Sequence, residues 1–352
     1  MKILIVDELS YPVGGVQERV KALAEQWVIL GHKVTVATID QTAKLPKRDV
    51  INGVENHMVV SDAGYYKAGR FGRKISTIIK FSFKLRRYFK GDWDLIIFCQ
   101  FPMFPQIFYK LFYKKRAITA IDFVEYRDSK LWRMINKMII NTVDHVVCIS
   151  EHVKDCVQAY RQDNLHVMPS FVDVAGSVSL SKTNYIFLGR MEGHKHPEHA
   201  IEAVLEYNKG YNKNVQLNLV GGGNLFDYLK NKYAGIPAIK LLGHVSTAQK
   251  KEILANGRVL ILPSEREGLP VVIIEAMSYG IPTITTNYVG NGGKYFVEKE
   301  IIGKVAQPVI TDIAGKINEL EQNYTYFTDR CNQLKYKFDL ELVSKEYLEI
   351  FN

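Results

Sequence analysis

The order of apolar runs is the strongest constraint on this chain's fold. Short strand-like runs alternate with helix-period stretches, and they do so twice. KILIVD (2–7) reads as a buried strand. Val16, Val20, Leu23, Ala24, Trp27 and Leu30 follow at helical spacing, and Gly31 supplies a stop. KVTVATI (33–39), DLIIFC (94–99), KRAITAI (115–121), HVVCIS (145–150) and NLHVMP (164–169) continue as strands, with helices expected over 73–90, 129–142 and 151–160. The pattern breaks at VAGSVSLSKT (174–183), a Ser-rich stretch with the composition of a linker. A second alternation then runs from NYIFLG (184–189) to PTITT (282–286), with helices over 197–207, 224–233, 246–255 and 270–279. An amphipathic helix with no strand after it ends the sequence. Alternation of this kind predicts parallel sheets covered on both faces, in two doubly wound α/β units. At 352 residues the chain is long enough for both.

Composition narrows the class further. No stretch approaches the 18 uncharged apolar residues of a transmembrane helix, and MKILIVDELS lacks the apolar segment and cleavage site of a signal peptide. Cys99, Cys148, Cys156 and Cys331 are scattered without a CxxC, which suggests reduced thiols in a cytoplasmic protein. The net charge is +9, and residues 67–90 alone carry nine cations, among them Arg70, Arg73, Lys74, Arg86 and Arg87, with no acidic residue. The remainder of the chain is therefore neutral. Phe71, Ile75, Ile78, Phe83 and Phe89 interleave with these cations, so the block reads as an interfacial helix for an anionic membrane surface, placing the protein at the inner face of a membrane. No nucleic-acid-binding module is recognisable.

Ligands of open α/β sheets sit beyond the carboxyl ends of the strands, which in a two-unit chain means a cleft between the units. The candidate residues follow strands accordingly. Gly14-Gly15 lies between the first strand and first helix, where a backbone can approach an anion closely. Arg190 and Lys195 come just after NYIFLG and suit a diphosphate, Arg as a fork and Lys as a point charge. Gly221-Gly222-Gly223 repeats the phosphate-permissive pattern. In SEREGLPVVIIEAMSYGIPTITT (264–286), a loop carboxylate, Glu267, precedes a helix carrying Glu275, and Gly268 and Leu269 offer backbone amides at the helix start. Two carboxylates beside phosphate-binding groups point to hydroxyl-rich ligands, a sugar or a ribose.

These segments together resemble the family 4 glycosyltransferases, retaining enzymes of the GT-B fold, two Rossmann-like domains facing each other across a cleft. EGLPVVIIEAM looks like the family's E-x7-E signature, LGRMEGHKHPEHAIEA like its diphosphate segment, and YPVGGVQERVKALAEQWVILGHKVTV like its N-terminal glycine loop. The resemblance implies an acceptor domain over 1–175, joined by a helix at about 336–352, and a donor domain over 176–335. It implies a nucleotide sugar, UDP- or GDP-linked, as donor, and a lipid-linked or growing glycan as acceptor. Glu275 would hold the ribose and Glu267 the donor sugar. Arg190 and Lys195 would neutralise the diphosphate, with Gly15, Gly222, Gly268 and Leu269 assisting. Asp122 would lie on the acceptor side, with Gly14 and the basic block. No metal or other cofactor is implied. The sequence departs from the family at Ile121, where a His is usual, and at Ser170-Phe171, where Asn-Gly is usual. Two other readings remain open: a sugar-nucleotide 2-epimerase of similar fold, and a non-catalytic membrane or nucleic-acid binding protein.

Overall fold

A computed structural model describes residues 1–9, 15–65, 73–113, 117–126, 129–172 and 182–352. The chain divides into two compact units, residues 1–169 with 340–352, and residues 170–339. The division falls at 169/170 because Val172 pairs with Asp339, its N–H donating to the carbonyl of Phe338 at 2.9 Å. Most of the Ser-rich stretch, residues 174–181, lies outside the described residues.

Unit 1 begins with β1 (Lys2–Leu9), α1 (Gly15–Ile29), β2 (Lys33–Asp40), β3 (Arg48–Ile51) and β4 (Val54–Ser61). It continues through α2 (Ile75–Lys84), α3 (Arg86–Phe89), β5 (Leu95–Cys99), α4 (Phe104–Phe112), β6 (Ile118–Phe123), α5 (Lys130–Ile140), β7 (His145–Cys148), α6 (Glu151–Gln158) and β8 (Leu165–Val167). The sheet order is β3-β4-β2-β1-β5-β6-β7-β8, parallel except for the β3–β4 hairpin. Every residue of β5 is buried, as a strand covered on both faces requires. α1 buries Val20, Leu23, Ala24 and Trp27, the apolar spacing seen in the sequence, and Gly31 ends the turn after it at φ 88°.

Unit 2 contains β9 (Asn184–Leu188), α7 (Pro197–Gly210), β10 (Leu217–Val220), α8 (Phe226–Lys232), β11 (Ile239–Gly243), α9 (Thr247–Ala255) and β12 (Gly257–Leu262). After these come α10 (Val271–Ser278), β13 (Thr283–Thr286), α11 (Gly292–Glu300), β14 (Gly303–Ala306), α12 (Ile310–Gln322) and α13 (Tyr324–Leu334). Its sheet is wholly parallel, in the order β11-β10-β9-β12-β13-β14. The chain then returns to unit 1 as α14 (Leu340–Glu349), which packs on α1. There the buried Trp27 indole donates to the carbonyl of Ser344 at 2.9 Å and its ring meets Tyr347 at 5.3 Å.

Each sheet reverses its winding once. In unit 1 the reversal lies between β1 and β5, and in unit 2 between β9 and β12. The carboxyl ends of those strand pairs are where an open α/β sheet leaves a crevice.

Candidate active site

The loops after β9 and β12 meet at the reversal point of unit 2. Lys195 closes a short 3-10 turn (Gly193–Lys195), and its ammonium is bonded to the Glu267 carboxylate, with side-chain exposures of 16% and 12%. The loops are stitched together beside this pair, where the Glu265 N–H donates to the carbonyl of His194 at 2.8 Å. Burial, aided by the charges of Lys195 and Arg266, lowers the pKa of His194 and keeps its ring neutral. His196 then turns left-handed, at φ 46° and ψ 51°, and Pro197 starts α7. The His196 ring stacks on His199 and on Tyr288.

Glu267 is held from behind by a segment that the sequence reading missed. Its N–H donates to the carbonyl of Gly290 at 3.0 Å, and its carbonyl accepts from Gly292 at 2.8 Å. A Cβ on Gly292 would lie 1.9 Å from the Gly268 oxygen, so only glycine fits there. The fully buried Asn291 pins this segment, donating to Thr285 Oγ1 at 2.9 Å and to the carbonyl of Thr286 at 2.8 Å while accepting from Gly293 at 3.1 Å. The signal was present as Asn291-Gly292-Gly293 between a strand and a helix, an N-cap pattern.

Glu275 projects from α10 and is ion-paired with Lys250 of α9 at 2.5 Å, with side-chain exposures of 20% and 36%. Lys250 was also missed, since nothing local marks it. Leu269 is buried, and Pro270 caps α10. Gly221 takes φ 126°, and a Cβ there would lie 2.0 Å from the Gly189 oxygen, so this loop packs backbone to backbone on the loop bearing Arg190. A Cβ on Gly222 would strike the His244 ring at 2.4 Å. The Arg190 side chain is 66% exposed and lies 3.7 Å from Glu192. Unit 2 therefore brings Lys195 directly to Glu267, sets Glu275 on the following helix, and leaves Arg190 at the rim.

Unit 1 is organised differently. Gly15 is the first residue of α1, while Gly14 and Arg70 lie outside the described residues. Asp122, expected on the acceptor side, instead lies in the core at 4% side-chain exposure and accepts from Arg19 Nε at 3.2 Å. Arg19 also donates to the carbonyls of Pro169 and Met168 at 2.7 and 3.1 Å. Asp122 thus ties α1 to β6 and to the end of the unit. Arg73 also departs from expectation. Arg73 is bound by Glu8 and lies over the Phe101 ring at 4.2 Å, and Lys74 is 3.0 Å from Asp62. Arg73 is drawn inward by the carboxylate on β1, whereas Lys74, paired with the carboxylate after β4, stays exposed like Arg86 and Arg87. Asp7, at the carboxyl end of β1, is fully buried, and desolvation pushes its pKa up to about 7 against hydrogen bonds from the Glu8 N–H and Gln17. Among the described residues, no group of three or more His, Cys, Asp or Glu could hold a metal ion, and no helix is long and apolar enough to cross a membrane.

Two parallel α/β units, each reversing at its centre, define the GT-B architecture of glycosyltransferases, and solved structures of that fold superpose on nearly the whole chain. Sucrose-phosphate synthase from Thermosynechococcus elongatus matches with a TM-score of 0.78 at 15% identity, over 99% of this chain and 98% of that one. HepE from Anabaena, in complex with UDP and glucose, matches with a TM-score of 0.72 at 16% identity, over 99% and 98%. The sequence matches the Glycosyltransferase Family 4 model over residues 13–175 and the Glycosyl transferases group 1 model over residues 177–338. The chain belongs to the family 4 glycosyltransferases. A named relative is the GalNAc-alpha-(1->4)-GalNAc-alpha-(1->3)-diNAcBac-PP-undecaprenol alpha-1,4-N-acetyl-D-galactosaminyltransferase of Campylobacter jejuni, 23% identical over 309 residues, 84% of this chain and 85% of that protein.

Proposed function

We propose that this glycosyltransferase moves a sugar from a nucleoside diphosphate donor to a hydroxyl of a lipid-linked glycan, with retention at the anomeric carbon and without a metal. The observation that carries the reading is the Lys195–Glu267 pair at the reversal point of the unit 2 sheet, with Glu275 on the helix that follows. A diphosphate at the start of α10 would face the Lys195 ammonium and the backbone amides of Gly268 and Leu269. Arg190, at the rim, is a long side chain able to swing onto a second phosphate oxygen. As the anomeric carbon becomes oxocarbenium-like, charge grows on the leaving oxygens, and these fixed cations and dipoles stabilise it. Lys195 would exchange part of its contact with Glu267 for the phosphate, freeing Glu267 for the sugar hydroxyls. Glu275 would accept hydrogen bonds from both ribose hydroxyls while its contact with Lys250 keeps it aimed. The departing phosphate can take the proton of the attacking hydroxyl, so the reaction needs no protein nucleophile. The lipid-linked acceptor is supported by the PP-undecaprenol acceptor named for the Campylobacter jejuni relative, and the donor class by UDP and glucose bound in the Anabaena structure.

Titration calorimetry with UDP, GDP and their sugars tests the reading. Wild type should bind one nucleotide class. Glu275→Ala should weaken that binding by roughly 10- to 100-fold, from the loss of charge-assisted hydrogen bonds of about 1.5–3 kcal/mol. Binding of neither nucleotide would overturn the proposal. Conversion of the donor sugar to its 2-epimer without acceptor would favour an epimerase.

A further inference from the structure

We infer that the outward face of α2, α4 and α5 docks on an anionic lipid bilayer. The three helices join strands that advance in one direction across the sheet, β4 to β5, β5 to β6 and β6 to β7, so right-handed crossovers put all three on one face. α1 joins β1 to β2 in the opposite direction and covers the other face. Neighbours on the shared face touch. α2 packs on α4, with Phe83 meeting Phe108 at 6.4 Å, and Lys110 of α4 donates to the carbonyl of Asn141 at the end of α5.

Each of the three helices leaves apolar side chains in solvent. α2 exposes Ile75, Ile79 and Phe83, one stripe at four-residue spacing, by 62%, 55% and 52%. α4 exposes Leu111 and Phe112 by 72% and 67%, and α5 exposes Leu131, Met134 and Met138 by 60%, 65% and 47%. Isolated apolar residues are ordinary on a surface, but neighbouring stripes on adjacent helices form a patch that marks an interaction site. The charges select the partner. α2, α3, α4 and α5 contain no Asp or Glu. They carry Lys80 and Lys84, then Arg86 and Arg87, then Lys110, then Lys130, Arg133 and Lys137, all exposed. Arg86 lies over the Phe83 ring at 4.4 Å, so cation and apolar stripe share a single surface. On the opposite face α1 and α14 carry Glu18, Glu25, Glu341, Glu346 and Glu349. An apolar patch studded with cations of one sign matches acyl chains beneath anionic headgroups, and each cation near such a surface is worth roughly fivefold in partitioning. The surface extends well past residues 67–90 and excludes Arg73.

Flotation of the full chain with vesicles tests this without reference to sugar transfer, so its failure would leave the donor reading standing. The protein should float with phosphatidylcholine vesicles containing 30% phosphatidylglycerol, and much less with phosphatidylcholine alone or in 1 M salt. The triple variant Lys84→Glu, Arg86→Glu, Arg87→Glu should lose at least tenfold in partitioning. Ile79→Ser with Phe83→Ser and Phe112→Ser should lose binding even at low salt. Reversing Lys209, Lys213 and Lys230 in unit 2, an equal change in net charge, should leave flotation unchanged. An unchanged circular-dichroism spectrum and urea unfolding midpoint verify that each variant folds. Equal loss in the unit 2 control, or no flotation of wild type, would overturn the inference. So would self-association that the serine variant abolishes in the absence of vesicle binding, which would make the face a contact between copies.

Discussion

The two units place opposite charges beside the carboxyl ends of their strands in different ways. In unit 1 the Arg19–Asp122 pair is almost sealed, at 2% and 4% exposure, and Arg19 spends its other donors on backbone carbonyls. In unit 2 the Lys195–Glu267 and Lys250–Glu275 pairs keep 12% to 36% of their side chains in solvent. A sealed pair with satisfied donors is a tie, since separating it strands a charge in a low-dielectric interior. A pair still touched by water can exchange partners with an incoming ligand at modest cost. Exposure thus separates a structural lock from a binding site where residue type alone does not.

The largest effect expected is on the lock. Asp122→Ala leaves the Arg19 guanidinium buried without its carboxylate and should cost about 3–5 kcal/mol in urea unfolding. A loss under 1 kcal/mol would erase the distinction between the units. Next comes the open pair: Lys195→Ala should lower kcat by roughly 100- to 1,000-fold, about 2.7–4 kcal/mol of transition-state stabilisation, with little change in folding. A comparable loss of stability would make Lys195 a second lock. The smallest effect concerns Asp7. Because its folded pKa is raised to about 7 from the ordinary carboxylate value of 3.8, the folded chain holds a proton that the unfolded chain has released. That contribution is present at acid pH and is lost as pH rises through 7. Wild type should therefore lose about 2–3 kcal/mol between pH 5 and pH 8 relative to Asp7→Asn, read from denaturation at both pH values. Parallel pH profiles for the two proteins would count against the burial of a neutral acid there.

The sequence exposed whatever depends on local pattern. The buried strands, the helix spacing of α1, the glycine loop at 221–223 and the Glu267/Glu275 spacing were all readable from it. Partnerships between distant residues were not. Residues 73–90 read as one basic helix because Glu8, which draws Arg73 inward, lies outside that window. Asp122 looked available because its neighbours in sequence are apolar, while its partner, Arg19, is 103 residues away. Lys250 was invisible for the same reason. α4 and α5 gave no acidic signal to notice, because the absence of Asp and Glu matters only once the helices lie side by side.

The return of α14 to unit 1 bears on the order in which the protein can be completed during synthesis. Residues 170–339 form one uninterrupted unit and can fold as they leave the ribosome. The first unit cannot. Its Trp27 lacks the cover of Ser344 and Tyr347 until some 300 further residues have been added, an interval of roughly 15–60 s at about 5–20 residues per second. During that wait the older half of the chain stays open along α1 while the younger half closes.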